Sequence, residues 1–194
     1  TETLELQREA SSRDAAMYLY VYPLSSLRKI GAIISPNLPN SYFEMLSIAL
    51  GKALIFRRFI FVPLGNVVIP EIVAEMADLF LRRERVTWVL AMGRYESAVY
   101  LSIRTTHYRG GAFRVLQNIL NDTKNAGGHD AFAGGRIAIE NEDFDLNAVE
   151  LNIANRFAAH FGFEKAVWKN LVKNQNVDDM SSASRYKHAE KEKG

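Results

Sequence analysis

The sequence has no cysteine, only 5 prolines and 2 tryptophans, little net charge and no long apolar run. Without cysteine there is no disulfide, no thiolate nucleophile and no cysteine zinc site, which fits a reducing compartment, with the cytoplasm as the expected location. Lys and Arg number 24 against 22 Asp and Glu, a net charge of +2, so a protein that coats polyanions through a global field is excluded and any nucleic-acid contact must be local. The apolar stretch from Ala53 to Val62 is broken by Arg57 and Arg58, and nothing approaches the roughly 20 apolar residues that span a bilayer, so no membrane is expected among the partners. The first residues, Thr1-Glu2-Thr3-Leu4, carry neither an initiator Met nor a signal-peptide pattern, as expected of a piece of a longer product.

What is present is a chain of 194 residues with 48% hydrophobic content, enough to fill a sizeable core. From Arg13 to Ile34 apolar residues recur at three- and four-residue steps, with Pro23 dividing two helices, and after the turn at Pro36–Asn40 helical spacing returns over Ser41–Ala53. Leu54 to Leu64, dense in Ile, Phe and Val, reads as one strand stopped by Gly65-Asn66, and a domain boundary is expected near Leu54. Pro70 opens a helix that runs to about Arg83. Strands over Val86–Met92 and Ala98–Ile103 form a hairpin whose turn is read as Gly93-Arg94-Tyr95-Glu96. A helix from about Gly111 to Leu120, a short strand through Ile137 and Ile139, and a last helix over Leu146–Phe161 complete the pattern. Residues 165–194 carry seven basic and four acidic side chains and read as a mobile charged tail. The expected fold is α/β, a mixed sheet flanked by helices behind a helical segment. Its parts are 1–53, 54–165 and a tail at 166–194.

Two elements could carry chemistry. Gly127-Gly128-His129, with Gly134-Gly135 close behind, can bring backbone N–H groups and an imidazole against an anion; the alternative is a tight turn. Ser102-Ile103-Arg104-Thr105-Thr106 ends the second hairpin strand, where an arginine flanked by hydroxyls can grip a phosphate, or can simply be a surface residue. Glu71, Glu75 and Asp78 share a helix face and read as a solvated acidic stripe rather than a metal site. His107 and His160 have no partner at ligand spacing, and no phosphate loop, nucleophile elbow or zinc-protease pattern occurs.

Taken in order, Ser102-Ile103-Arg104, a helix, Gly127-Gly128-His129 and Ala133-Gly134-Gly135 resemble the C-terminal, DHH-associated domain of the DHH phosphoesterase superfamily. Upstream, Thr1-Glu2-Thr3, Asp14-Ala15-Ala16 and Ala74-Glu75-Met76-Ala77-Asp78 resemble the branch with nanoRNases (exonucleases on very short RNA) and pAp (3′-phosphoadenosine-5′-phosphate) phosphatases. The resemblance implies two domains facing across a cleft. One would hold Mn2+ through Asp-x-Asp, a lone Asp and Asp-His-His; the other would bind the substrate's phosphate and base. Carried over residue by residue, it implies that Arg104, Gly127, Gly128 and His129 bind substrate, Arg104 and His129 gripping a terminal phosphate. Read from the residues alone, the hydroxyl of Thr105 or Thr106 would add a hydrogen bond to that phosphate. Glu2 falls near that family's last metal-binding aspartate.

The sequence departs from the family in having no Asp-His-His and no Asp-x-Asp suited to the metal site, so the catalytic half, about 150 residues by ordinary domain size, is expected outside this chain. Residues 1–53 would then be the end of the catalytic domain with a linker helix. The expected partners are a short single-stranded oligonucleotide or pAp-like nucleotide, the missing DHH domain, and a second copy in a homodimer. The competing reading is a non-catalytic module that binds a nucleotide or single strand through the same residues.

Overall fold

The structure is a computed structural model that describes residues 11–34, 36–120, 125–140 and 144–172. The chain divides into two compact units, residues 1–39 and 40–194. In the first, α1 (Ser12–Val21) starts from a capping box in which Ser11 and Asp14 bond reciprocally, and these bonds hold the Asp14 carboxyl below its ordinary range. A 3-10 turn over Tyr22–Leu24, with Pro23 in its first turn, leads to α2 (Leu27–Ile34).

The second unit is built on a seven-stranded open mixed sheet. Its strands are β1 (Leu54–Phe56), β2 (Phe59–Asn66), β3 (Trp88–Tyr95), β4 (Ala98–Thr105), β5 (Ala126–Gly128), β6 (Phe132–Ala138) and β7 (Lys169–Asn170), in the spatial order β5-β6-β4-β3-β2-β1-β7. Among the described residues only β2 and β3 pair in parallel, and α4 (Glu71–Leu81) makes the crossover between them; the other described pairs are antiparallel. One sheet face is covered by α3 (Asn40–Lys52) and α4, whose Met45, Ala49, Ile72, Val73 and Met76 pack on Ile60, Val62, Val89 and Ala91. The other face is covered by α5 (Ala112–Leu120) and α6 (Leu146–His160), whose Val115, Leu116, Ile119 and Phe157 pack on Phe61, Leu90, Leu101 and Ile103. Each large side chain fully buried in this way contributes about 1.5–3 kcal/mol. Within these layers α4 and α5 are offset along the sheet. α4 sits on β2, β3 and β4, whereas α5 sits on β4, β5 and β6.

Four sequence expectations are corrected here. Leu54–Leu64 is a tight hairpin, not one strand: Phe56 pairs with Phe59 across Arg57-Arg58, with Arg57 at φ 54° and its guanidinium 4.5 Å from the Phe163 ring. No Gly or Asn marks that turn. The β3–β4 turn is Glu96-Ser97, with Glu96 at φ 50°, and Gly93 is a strand residue; its missing side chain makes room for Val67, whose Cγ1 would lie 2.6 Å from a Cβ there. The unit boundary falls after Pro39 instead of near Leu54, because α3 buries Met45 and Ala49 against the sheet. The expected tail begins too early: Lys169–Asn170 pair with β1, and Trp168 packs on Phe56 and Phe61. Residues 173–194 lie outside the described residues.

Candidate functional site

Alternation along β4 sends Tyr100, Ser102 and Arg104 to the α4 side and Leu101, Ile103 and Thr105 to the α5–α6 side. Register carries the pattern across. Arg104 faces Phe132, Ser102 faces Gly134, Tyr100 faces Arg136, and Gly134 faces Gly127 on the edge strand β5. Because α4 stops at β4, no helix among the described residues of this second unit covers the α4-side face of β6 and β5, and both Gly127 and Gly134 are exposed. The result is a strip of bare backbone, bounded by Arg104 and Phe132 at one end and by Tyr100 and Arg136 at the other.

The glycines divide by role. A Cβ at Gly128, where φ is +136°, would lie 2.4 Å from the Phe132 carbonyl oxygen, and one at Gly135 would lie 2.8 Å from Leu120 Cδ1. Backbone packing forces Gly128, and Gly135 is crowded by Leu120, Leu116 and the Asn125 carbonyl oxygen. A Cβ at Gly127 would meet nothing within 4 Å, and one at Gly134 would have only Leu101 O, at 3.8 Å. Nothing in the packing of the described residues requires glycine at either position, so what these residues provide is an open floor where a ligand can lie directly on the backbone.

Arg104 is held in place beside that floor. Its Nε donates to Asp78 Oδ1 at 2.8 Å, and its Nη1 donates to Ser102 Oγ at 2.7 Å and to the Ile103 carbonyl at 3.1 Å. The guanidinium carbon lies 5.4 Å from the centre of the Phe132 ring. With the side chain only 14% exposed, the fork is pre-oriented, and Nη2 has no hydrogen-bond partner among the described residues. The His129 ring stands edge-on to the same Phe132 ring at 4.1 Å between centroids, and its backbone is fixed by bonds from His129 N to Phe132 O and from Phe113 N to His129 O. Arg104 and His129 thus both contact the Phe132 ring, which gathers two side chains able to bond a phosphate at one end of the strip.

Thr105 is not brought to this site. It faces the opposite side of the sheet, where its hydroxyl donates to Thr87 O at 2.8 Å and accepts from His107 N. Asp78, read in the sequence as part of a solvated stripe, orients Arg104; only the packing of α4 on β4 reveals that. Phe132 and Arg136 escaped the sequence reading as well, although both lie two residues from Gly134 on the same strand face. Among the described residues no group of three or more His, Asp or Glu could hold a metal ion, so manganese does not fit the side chains of this site. Glu2 lies outside the described residues.

No protein-family model matches the chain, and no curated protein matches it significantly. Among solved structures, an exopolyphosphatase-related protein from Bacteroides fragilis superposes with a TM-score of 0.60 at 11% identity, over 80% of this chain and 46% of that one. The C-Ala domain of Aquifex aeolicus alanyl-tRNA synthetase gives 0.39 at 16% identity, over 53% of this chain and 98% of that domain. A pGpG-specific phosphodiesterase from Vibrio cholerae gives 0.36 at 12% identity, over 79% and 56%. The first likeness is one of fold, and the chain spans less than half the length of that protein. No helix among the described residues is long and apolar enough to cross a membrane.

Proposed function

We propose that this chain is the substrate-binding part of a phosphoester hydrolase acting on short oligonucleotides, pAp or a related small phosphoester, the DHH-type reading that its motifs suggest. The observation that carries it is the exposed Gly127–Gly134 floor beside a prepositioned Arg104 and His129. A base or sugar lies flat on the backbone, and its phosphate takes hydrogen bonds from Arg104 Nη2 and the His129 ring. The role of these residues is to bind and orient, which fixes where the scissile bond sits relative to groups that act on it. In the proteins that the motifs resemble, manganese supplies hydroxide and neutralises charge; here it would be held by residues outside those described.

Calorimetric titration with pAp and with a 5′-phosphorylated trinucleotide, beside the Arg104→Ala/His129→Ala double variant, tests this. Saturable binding lost in the double variant is expected. Equal binding by the variant, or none by the folded chain, overturns the proposal.

A further inference from the structure

His129 also borders a second feature, at the end of the sheet where β2, β3 and β6 begin and β4 ends. A cavity of about 720 Å³ lies between the start of α5 and the end of α6, lined by Arg109, Arg114, His129 and His160 among others. A second, of about 630 Å³, lies beside it over Trp88 and is lined by Arg58, His107, Tyr108 and Arg109. Arg109, Gly110 and Phe161 line both, so the two are one continuous groove. Every histidine among the described residues borders it.

The groove is lined by both cationic and aromatic side chains. Arg58, Arg109 and Arg114 are all exposed, and none has an ion-pair partner among the described residues. Against them stands one lining carboxylate among the described residues, Asp130. Tyr108 is 68% exposed, and the His107 ring lies 6.2 Å from that of Trp88. Unpaired arginines spaced among aromatic faces suit a single strand of nucleic acid, whose phosphates meet the cations while its bases stack. A compact anion would use the charges and leave the rings idle.

We infer that this groove binds the continuation of a single-stranded oligonucleotide whose end lies on the Gly127–Gly134 floor, with Arg58, Arg109 and Arg114 contacting successive phosphates and Tyr108 stacking on a base. The anchored end rests on the function proposed above; the groove itself does not.

Fluorescence anisotropy with 5′-phosphorylated, 3′-labelled oligodeoxyadenylates of two to eight nucleotides tests it on the full chain. Affinity should rise tenfold or more between two and six nucleotides. The Arg58→Ala/Arg109→Ala/Arg114→Ala variant should keep its dinucleotide affinity and lose that rise. Its slope of log affinity against log salt for the hexamer should be shallower by about 2, at about 0.7 per phosphate contact. Tyr108→Ala should weaken the hexamer at least fivefold with the salt slope unchanged. All four substitutions are at exposed positions, and circular dichroism checks the fold. An unaltered length dependence in the triple variant, or inorganic polyphosphate of equal charge binding as tightly as the hexamer, overturns the groove. Hexamer binding that the triple variant loses, with pAp binding absent, upholds the groove and removes the floor instead.

Discussion

Gly134→Val separates a glycine kept for a ligand from one kept for the fold. The nearest heavy atom to a Cβ at this position is Leu101 O, 3.8 Å away, so a Cβ enters without displacing anything, and the position faces solvent. Glycine inside a strand costs about 0.5–1 kcal/mol relative to alanine, and valine is among the best strand formers. The variant should therefore gain about 1 kcal/mol, which raises Tm by roughly 2–4 °C for a chain of this size. Its isopropyl group fills the floor, and a base held there gives up stacking worth about 1–3 kcal/mol. Affinity for pAp should fall by about tenfold to hundredfold. Gly128→Ala is the counterpart: at φ +136°, with a Cβ 2.4 Å from Phe132 O, it should lose about 2 kcal/mol or more and lower Tm by at least about 4 °C. Differential scanning calorimetry and isothermal titration on both variants provide the readouts. A stable Gly134→Val chain with unchanged pAp affinity would refute the floor.

Arg104→Lys keeps the charge but cannot reach Asp78, Ser102 and the Ile103 carbonyl together; pAp affinity should drop about tenfold by calorimetry, with stability lowered by no more than about 1 kcal/mol because Asp78 is half exposed. Trp168→Ala should cost about 2–3 kcal/mol in urea unfolding, since the indole packs on Phe56 and Phe61; a change under 0.5 kcal/mol would return residues 166–172 to the mobile tail. Burial pushes the His160 imidazole below its ordinary 6.5. Above that pH both folded and unfolded chains hold it neutral and it contributes nothing; as pH falls through 6.5 the unfolded chain takes up the proton first, so stability declines. The urea midpoint should thus drop between pH 7.5 and 5.5, and His160→Gln should flatten the drop.

Periodicity and turn chemistry were enough, in the sequence alone, for the α/β class, the Pro23 break, the helices over 71–81 and 112–120, and the Ser102–Arg104 and Gly127–Gly134 segments as the places to look. These signals are local. Hydrophobic spacing, proline and glycine act on their own few residues, and local rules transfer to any chain. What tertiary structure decided is which residues share a face. Thr105 is adjacent to Arg104 in sequence and on the other side of the sheet in space, because strand neighbours alternate. Asp78 lies 26 residues from Arg104 and becomes its partner only when α4 packs beside β4. The two-residue turn at Arg57-Arg58 has no glycine to announce it and depends on aromatic rings that come from Phe56 and the distant Phe163. The glycine pairs are the sharpest case. In sequence Gly127 and Gly128, or Gly134 and Gly135, are indistinguishable. In the fold one of each pair is pressed against backbone or leucine, and its neighbour looks out from an uncovered sheet face, because that face depends on where α4 ends its coverage and not on any residue nearby.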